Sequence, residues 1–417
     1  MKHRSTAMTT RMILTAAVLS LGLVVVTGGV GHAATGLKLK VSQKAGLSLD
    51  QQVTVSGKAP GDNGHYLVEC LPTATDTSSG CDLSTEVAIT VNAKGVITPV
   101  AFTVVGPSDG TCAPKKAVLA CGIDLVTSGT TGPVAPGTTV TFPRYYLSLG
   151  DSYSVGYQPS PTPAATYGYT GYVAKKEKMT LVNFGCGGAT SDSILTFTGR
   201  CGVDAYGPPA ALNPGPIAAG QSQVTAAEAF IATHPGQIGL ITVSIGGNDV
   251  TPCAAAAPGN PVNGATDAIT CVSNGKALIQ ANVTTLVGDL STSAGPTVPI
   301  VGLTYPDVLL GLWVFPSFPA TTANQTLASE STLAFNLLIN PTLAAAYTGV
   351  PNGKFVDVTA ATGAYTPLTK LSNLAPYGKI PKAVAEVCKY TWYCALGNIH
   401  ANDKGYKTIG KLIAAAL

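Results

Sequence analysis

Charge is scarce in this 417-residue chain: Asp, Glu, Lys and Arg make up 11% of it, against an apolar content of 46%. So little charge beside an ordinary apolar fraction excludes a disordered polyelectrolyte and leaves enough apolar surface for two or three cores. An excess of one sign is lacking too. Three of the 24 cationic side chains, Lys2, Arg4 and Arg11, lie in residues 1–34, which hold no acid, so the rest of the chain carries 21 charges of each sign. That balance excludes the electrostatic pull toward nucleic acid or anionic membrane that a basic face supplies. Beyond Val26 no stretch approaches the 18 apolar residues of a spanning helix, so no stable membrane anchor is expected there.

Several signatures are missing as well. No G-x-S-x-G occurs, because Ser154 follows Asp151-Ser152-Tyr153, and this excludes the nucleophile elbow of α/β-hydrolases. Gly185-Cys186-Gly187-Gly188 has neither the spacing nor the acidic partner of a nucleotide-binding loop, so no cofactor is expected. No cysteine couple has C-x-x-C spacing, and no metal is expected. After residue 34 only three histidines remain, His65, His234 and His400.

The first 34 residues hold a cationic start (Lys2, His3, Arg4, Arg11), an apolar run from Met12 to Val26 and a small-residue exit at Gly31-His32-Ala33-Ala34. This pattern predicts a secretory signal cleaved after Ala33 or Ala34; the run is short for the alternative, a membrane anchor. A secreted, extracellular product is therefore expected. All ten cysteines follow this segment, and an even number in an exported chain reads as disulfides. The simplest pairing joins neighbours, Cys70 with Cys81, Cys112 with Cys121, Cys186 with Cys201, Cys253 with Cys271 and Cys388 with Cys394, although sequence leaves connectivity open.

Two rhythms follow. Residues 35–142 show short alternating segments such as Gln52–Ser56, Tyr66–Glu69 and Val87–Val91, broken by turns such as Asn92–Gly95, which predicts an all-β sandwich of about seven strands. From residue 143 to 417 strands and helices alternate. Strands are expected at Tyr145–Leu149, Thr180–Phe184, Ile238–Ser244, Val298–Thr304 and Lys354–Val358, and helices at Tyr167–Lys178, Gln221–Thr233, Asn274–Ser291, Thr326–Tyr347 and Asn402–Leu417. Such alternation predicts an α/β domain with a parallel sheet and helices on both faces, whose ligands sit at the carboxyl ends of the strands.

The segments after the first three of these strands are glycine-rich and polar: Gly150-Asp151-Ser152-Tyr153, Gly185–Thr190 and Gly246-Gly247-Asn248-Asp249. Glycines let backbone N–H groups approach an anion, Asn248 adds an amide donor, and Ser152 is a nucleophile if a base lies near. Of the three histidines, His65 lies in the sandwich and His234 where a helix should stop. His400 remains, in Gly397-Asn398-Ile399-His400, on a loop before the last helix.

These four blocks, in this order, resemble the SGNH (GDSL-type) hydrolases over about residues 144–417. The resemblance implies a flavodoxin-like sheet and ester hydrolysis through an acyl-serine. Ser152 would attack, His400 would serve as base and then acid, and Ser152 N–H, Gly188 N–H and the Asn248 side chain would form the oxyanion hole. One position departs from the pattern: most members carry Asp three residues before the histidine, where this chain has Gly397. A branch of secreted SGNH esterases with three disulfides works as a dyad with a backbone acceptor, and the main-chain carbonyl of Gly397 is the expected substitute. Asp403 is the rival, but reads first as the N-cap of the final helix. Trp392 and Tyr393 would line the acyl pocket or pack their loop, and Val308–Phe315 would be an acyl-chain wall or core helix.

Residues 36–142 have their own resemblance. Val53–Gly57, Gly64–Cys70, Ala93–Gly95 and the Cys112/Cys121 couple followed by Gly122–Val126 look like the neocarzinostatin-type immunoglobulin-like fold. A spacer role, a small-molecule ligand, or attachment to a polymer are the readings open to it. For the whole chain the expectation is a monomeric secreted serine esterase or lipase acting on acyl esters. A carbohydrate deacetylase, an acyltransferase and a catalytically degenerate binding protein are the alternatives.

Overall fold

The computed structural model describes residues 36–60, 64–115, 117–127, 132–159, 168–196, 217–218 and 220–417. The expected secretory signal and Cys201 lie outside the described residues.

Eight strands precede residue 144 among the described residues: β1 (Lys38–Val41), β2 (Gln51–Lys58), β3 (His65–Cys70), β4 (Cys81–Ala88), β5 (Val96–Val104), β6 (Cys112–Lys115), β7 (Val118–Thr127) and β8 (Ala135–Pro143). They form antiparallel sheets, β1-β2-β5 and β4-β3-β7-β6, with β8 also paired to β7. Inward residues of both sheets, Val53, Val55 and Phe102 from one and Leu67, Ile123 and Phe142 from the other, share one core. Two details differ from expectation. The strand placed at Val87–Val91 runs Cys81–Ala88, because the Cys70–Cys81 disulfide sits in register on the β3–β4 ladder and starts the pairing there. The extra strand is the short β6, whose Cys112 lies opposite Cys121 and is bonded to it.

A single residue, Arg144, separates β8 from a third, parallel sheet. Its strands are β9 (Tyr145–Gly150), β10 (Thr180–Asn183), β11 (Ile238–Ser244), β12 (Ile300–Leu303) and β13 (Gly353–Val356), all parallel in the order β10-β9-β11-β12-β13. All seven residues of β11 are buried, as a central strand covered on both faces requires. An antiparallel hairpin, β14 (Leu371–Leu374) with β15 (Gly378–Pro381), follows. The helices are α1 (Gly168–Glu177), α2 (Ser193–Thr196), α3 (Gln223–Thr233), α4 (Gly247–Val250), α5 (Ala268–Ala294), α6 (Thr322–Ala334), α7 (Asn340–Thr348), α8 (Val358–Ala361), α9 (Lys382–Tyr390), α10 (Tyr393–Leu396) and α11 (Asp403–Ala416).

Successive strand side chains point to opposite faces, and two cores result. Leu147, Leu149, Ile241 and Val243 meet α3, α5 and α7 on one side. There α5 presents Ile279, Val283, Leu286, Val287 and Leu290 at helical spacing, enough for one apolar stripe. Tyr146, Leu240 and Val301 meet α1 and α11 on the other, through Tyr169, Val173, Tyr406, Ile409 and Ile413. No helix among the described residues is long and apolar enough to cross a membrane.

Two helices depart from their expected bounds. Helix α5 begins six residues earlier than Asn274, because the Asp267 carboxylate accepts the Thr270 N–H as an N-cap. The single helix expected over Thr326–Tyr347 is α6 and α7 joined by a π-helical turn, Phe335–Ile339. Pro341 at the start of α7 has no N–H for the Leu337 carbonyl, and its ring crowds that carbonyl, so the chain widens by one residue there.

Candidate active site

Strand β9 ends at Gly150, with φ 133°, where a Cβ would stand 2.1 Å from the Ser244 carbonyl oxygen of β11. Only glycine lets the chain turn there. Gln223 grips both backbone groups of Gly150: its Oε1 accepts the N–H at 2.8 Å and its Nε2 donates to the carbonyl at 2.9 Å. The Asp151 carboxylate accepts the Tyr153 N–H at 2.9 Å and the Tyr305 hydroxyl at 2.5 Å. Backbone and side chain are thus held on both sides of Ser152. Its Oγ lies 2.7 Å from His400 Nε2.

His400 stands on a loop held at both ends. Its carbonyl accepts the Trp392 N–H, and Asn402 caps α11 by accepting the Gly405 N–H at 3.0 Å while donating to the Lys389 carbonyl. The imidazole Nδ1 lies 2.8 Å from Asn398 Oδ1, which also accepts the His400 backbone N–H at 3.0 Å. A backbone N–H can only donate, so that Asn398 atom is the amide oxygen, and Nδ1 must carry the proton it accepts. Nε2 is left as a lone pair facing the Ser152 hydroxyl.

This corrects the expected acceptor: the Asn398 side chain, and not the Gly397 carbonyl, partners Nδ1. Gly397 ends α10 in the left-handed region, φ 63°, with its N–H bonded to the Tyr393 carbonyl, and Asn398 folds back over the next two residues as an Asx turn. A Cβ at Gly397 would stand 2.4 Å from the Phe315 ring, so this position has no room for a carboxylate. Asp403 is also placed differently. Asn402 is the N-cap and Asp403 the first helical residue, its carboxylate accepting from the Gln158 amide at 2.7 Å.

Gly188 and Asn248 follow β10 and β11, the strands on either side of β9. Gly188 has φ 79° and nothing within 4 Å of its would-be Cβ. Asn248 Nδ2 donates to the Ala189 carbonyl at 2.8 Å, which uses one of its two amide hydrogens and leaves one for a ligand oxygen. Asp249 locks the two loops together: its carboxylate accepts the Ser191 N–H at 2.9 Å and hydroxyl at 2.7 Å. Ser152 and Asn248 line one small cleft with Thr251, Tyr305, Val308 and Phe335.

The other residues singled out from sequence fall as follows. Tyr393 is buried with its ring edge-on to Phe315, and the Trp392 indole donates to Gln158, so both pack the loop. The Val308–Trp313 segment is a 3-10 helix that divides its faces: Val308 lines the cleft, while Leu310 and Gly311 are buried beneath. His234 ends α3 and stacks on Phe230, and His65 opens β3. Cys70–Cys81, Cys112–Cys121, Cys253–Cys271 and Cys388–Cys394 are bonded as the neighbour pairing predicts. Cys186 is also disulfide-bonded. Gln223, Tyr305 and Asn398 were not picked out from the sequence. Only Asn398 left a signal, an Asn two residues before a loop histidine.

Burial dominates the electrostatics. It pushes Asp151 up to about 7, against which the Tyr305 hydrogen bond pulls, and Asp307 up to about 7. Asp124 in β7 rises to about 6, and His400 falls to about 4. A carboxyl with a raised folded pKa contributes stability that is full below its unfolded value and lost as pH rises through the folded one. A histidine with a depressed pKa contributes stability that is full above about 6.5 and lost as pH falls toward 4. Three carboxyls outweigh one imidazole between those limits. The melting temperature is therefore expected to be higher at pH 5 than at pH 7.5, and calorimetry finding it equal or lower would refute this balance.

The chain thus combines a three-layer parallel α/β fold with a buried serine–histidine pair at the carboxyl edge of its sheet. Residues 148–408 match the GDSL-like Lipase/Acylhydrolase family, and the chain belongs to it. No curated protein matches the sequence. Among solved structures, an extracellular lipase from Streptomyces rimosus aligns at 16% identity and TM-score 0.39, over 66% of this chain and all of that one. A family 2 carbohydrate esterase with a carbohydrate-binding domain from Myceliophthora fergusii aligns at 16% identity and TM-score 0.31, over 91% of this chain and 99% of that one. Macromomycin aligns at 24% identity and TM-score 0.18, over 25% of this chain and 96% of that one.

Proposed function

We propose that this is a secreted serine esterase that hydrolyses carboxylic esters through an acyl-serine intermediate on a Ser152–His400 dyad. The observation that carries the reading is the 2.7 Å contact from Ser152 Oγ to an Nε2 whose lone pair is set by Asn398. Ser152 Oγ bonds to the ester carbonyl carbon as its proton passes to Nε2. The carbonyl oxygen takes the negative charge, held by Ser152 N–H, Gly188 N–H and the second Asn248 amide hydrogen. Collapse breaks the carbon–oxygen bond, and His400 gives its proton to the departing alkoxide. A water, deprotonated by the same Nε2, then releases the acid. Burial suits His400 to this task, because an imidazole with pKa about 4 stays neutral, and so a base, through mildly acidic pH.

Two supporting observations lie outside the reacting atoms. The described residues lining the cleft all follow Gly150, so the N-terminal sheets supply no reacting group, and residues 143–417 form the catalytic unit. Four disulfides among the described residues favour an oxidising, extracellular setting. The decisive test is reaction with a fluorophosphonate, which should leave one adduct, on Ser152, with p-nitrophenyl acetate hydrolysis lost in proportion. Labelling on Ser154 or on no serine, or hydrolysis surviving full labelling, would refute the reading.

A further inference from the structure

When Ser152 gives up its proton, His400 becomes a cation in surroundings that disfavour one. The residue is 6% exposed, and burial pulls the imidazole pKa down. In a serine–histidine–aspartate triad a carboxylate stabilises the imidazolium. Here the Nδ1 partner is the uncharged Asn398 amide, the Asp403 carboxylate accepts from Gln158, and the Asp151 carboxylate accepts the Tyr153 N–H and the Tyr305 hydroxyl. Among the described residues no carboxylate bonds to the ring, so the ring is oriented but its charge is not met.

What faces the imidazole instead is aromatic. The Tyr157 ring stands 4.3 Å from it, centroid to centroid, at an interplanar angle of 60°, and the Tyr153 ring 5.7 Å away at 31°. Both lie inside the distance of about 6 Å at which a ring's electrons attract a cation. Tyr157 is held there by Ser152 itself: its N–H donates to the Ser152 carbonyl at 3.0 Å, and its own carbonyl accepts the hydroxyl of buried Tyr406 at 2.7 Å. The turn that carries the nucleophile thereby fixes the ring as well.

Resting on the serine–histidine reading, we propose that Tyr157 stabilises the imidazolium form of His400 with its ring electrons, in the role that a carboxylate has in a triad. It is a positioning residue, acting through His400 and not on substrate. Other residues line the Ser152 cleft and the apolar groove of about 400 Å³ that opens beside it, which shares Thr251 and Phe335 with the cleft and is walled by Leu333, Leu337 and Leu338. A change in the Tyr157 ring therefore acts on the proton's acceptor and leaves the lining of both unchanged.

The test varies the ring's electrons at nearly constant shape. Tyr157→Phe, and analogues of that variant with one, two, three and five ring fluorines introduced by nonsense suppression, are compared in the full chain on p-nitrophenyl acetate. Tyr157→Phe should keep kcat/KM within about threefold of the wild type, and successive fluorines should lower it stepwise, to roughly tenfold below Tyr157→Phe at five. Labelling of Ser152 by a fluorophosphonate, which also needs the imidazolium, should slow in step. A second readout is independent of turnover: the His400 imidazole, followed by NMR, should protonate at lower pH with each fluorine, because a weaker ring holds the cation less. The other titratable groups around it, Tyr153 and, beyond Ser152, Asp151, are the same throughout the series. A series flat in either readout, or hydrolysis that falls while labelling does not, overturns the proposal and leaves the esterase reading intact. If the wild type neither hydrolyses the ester nor labels, the esterase reading fails on its own, and the titration alone decides the ring's role: a stepwise shift supports it, and a constant midpoint overturns it.

Discussion

Replacing Ser152 or His400 with Ala is expected to lower kcat/KM on a short p-nitrophenyl ester by at least about 10³-fold. The argument is geometric. Ser152 Oγ has one hydrogen-bonded base, 2.7 Å away, on a ring whose other nitrogen is occupied by Asn398. Without Nε2 the hydroxyl must give its proton to water at a pH where it is a weak nucleophile; without Oγ no acyl-enzyme forms. Because the two act as one unit, the double variant should be no worse than the poorer single. Steady-state kinetics on the three purified variants checks this, and His400→Ala within tenfold of wild type would show that the base is another group. Both residues are 6% exposed, and the one further hydrogen bond of the His400 ring goes to Asn398 in its own loop, so all three variants should keep the wild-type melting temperature within a few degrees.

The second large effect is expected at Asn398, a positioning residue. Asn398→Ala removes the acceptor for Nδ1–H, and a lost hydrogen bond of about 1–3 kcal/mol converts to roughly 5- to 150-fold in kcat. Two readouts separate orientation from general loosening. Asn398→Asp restores an acceptor in the same place and should recover most of kcat, yet its negative charge stabilises the imidazolium and should move the acid limb of the pH–rate profile upward from that of the wild type, where burial holds the His400 pKa down. Gly397→Asp, which puts a carboxylate where the wider family pattern has one, should fail to rescue Asn398→Ala, because its Cβ would meet the Phe315 ring at 2.4 Å. Rescue by Gly397→Asp with no shift in Asn398→Asp would return the role to position 397.

The two residues that orient the nucleophile, Gln223 and Tyr305, show why part of the site was illegible. Gln223 sits at the start of α3 and touches Gly150 across 73 positions; Tyr305 follows β12 and reaches Asp151 across 154. Neither lies in a motif, and nothing local distinguishes this glutamine or tyrosine from others. They meet the serine turn because parallel strands bring their carboxyl ends to one edge. The groove was hidden for a related reason. Thr326–Tyr347 reads as one long helix, and what breaks it, the missing N–H of Pro341, moves Phe335 and the leucines by a fraction of a turn that periodicity does not register.

By itself the sequence carried the strand–helix alternation, the order of the four blocks and the adjacency of the cysteine couples, and through its family resemblance it pointed to Ser152 and His400. The first three are carried by local spacing and by short apolar runs between turns, and the last by the resemblance that the four blocks bear to a known family. The tertiary structure alone decided which atom holds the imidazole, why Gly397 cannot be an acid, how Asp249 joins the loops that follow β10 and β11, and where an apolar groove opens beside the serine. Those are matters of ångström-scale contact between segments remote in sequence, set by how the two faces of one sheet are covered.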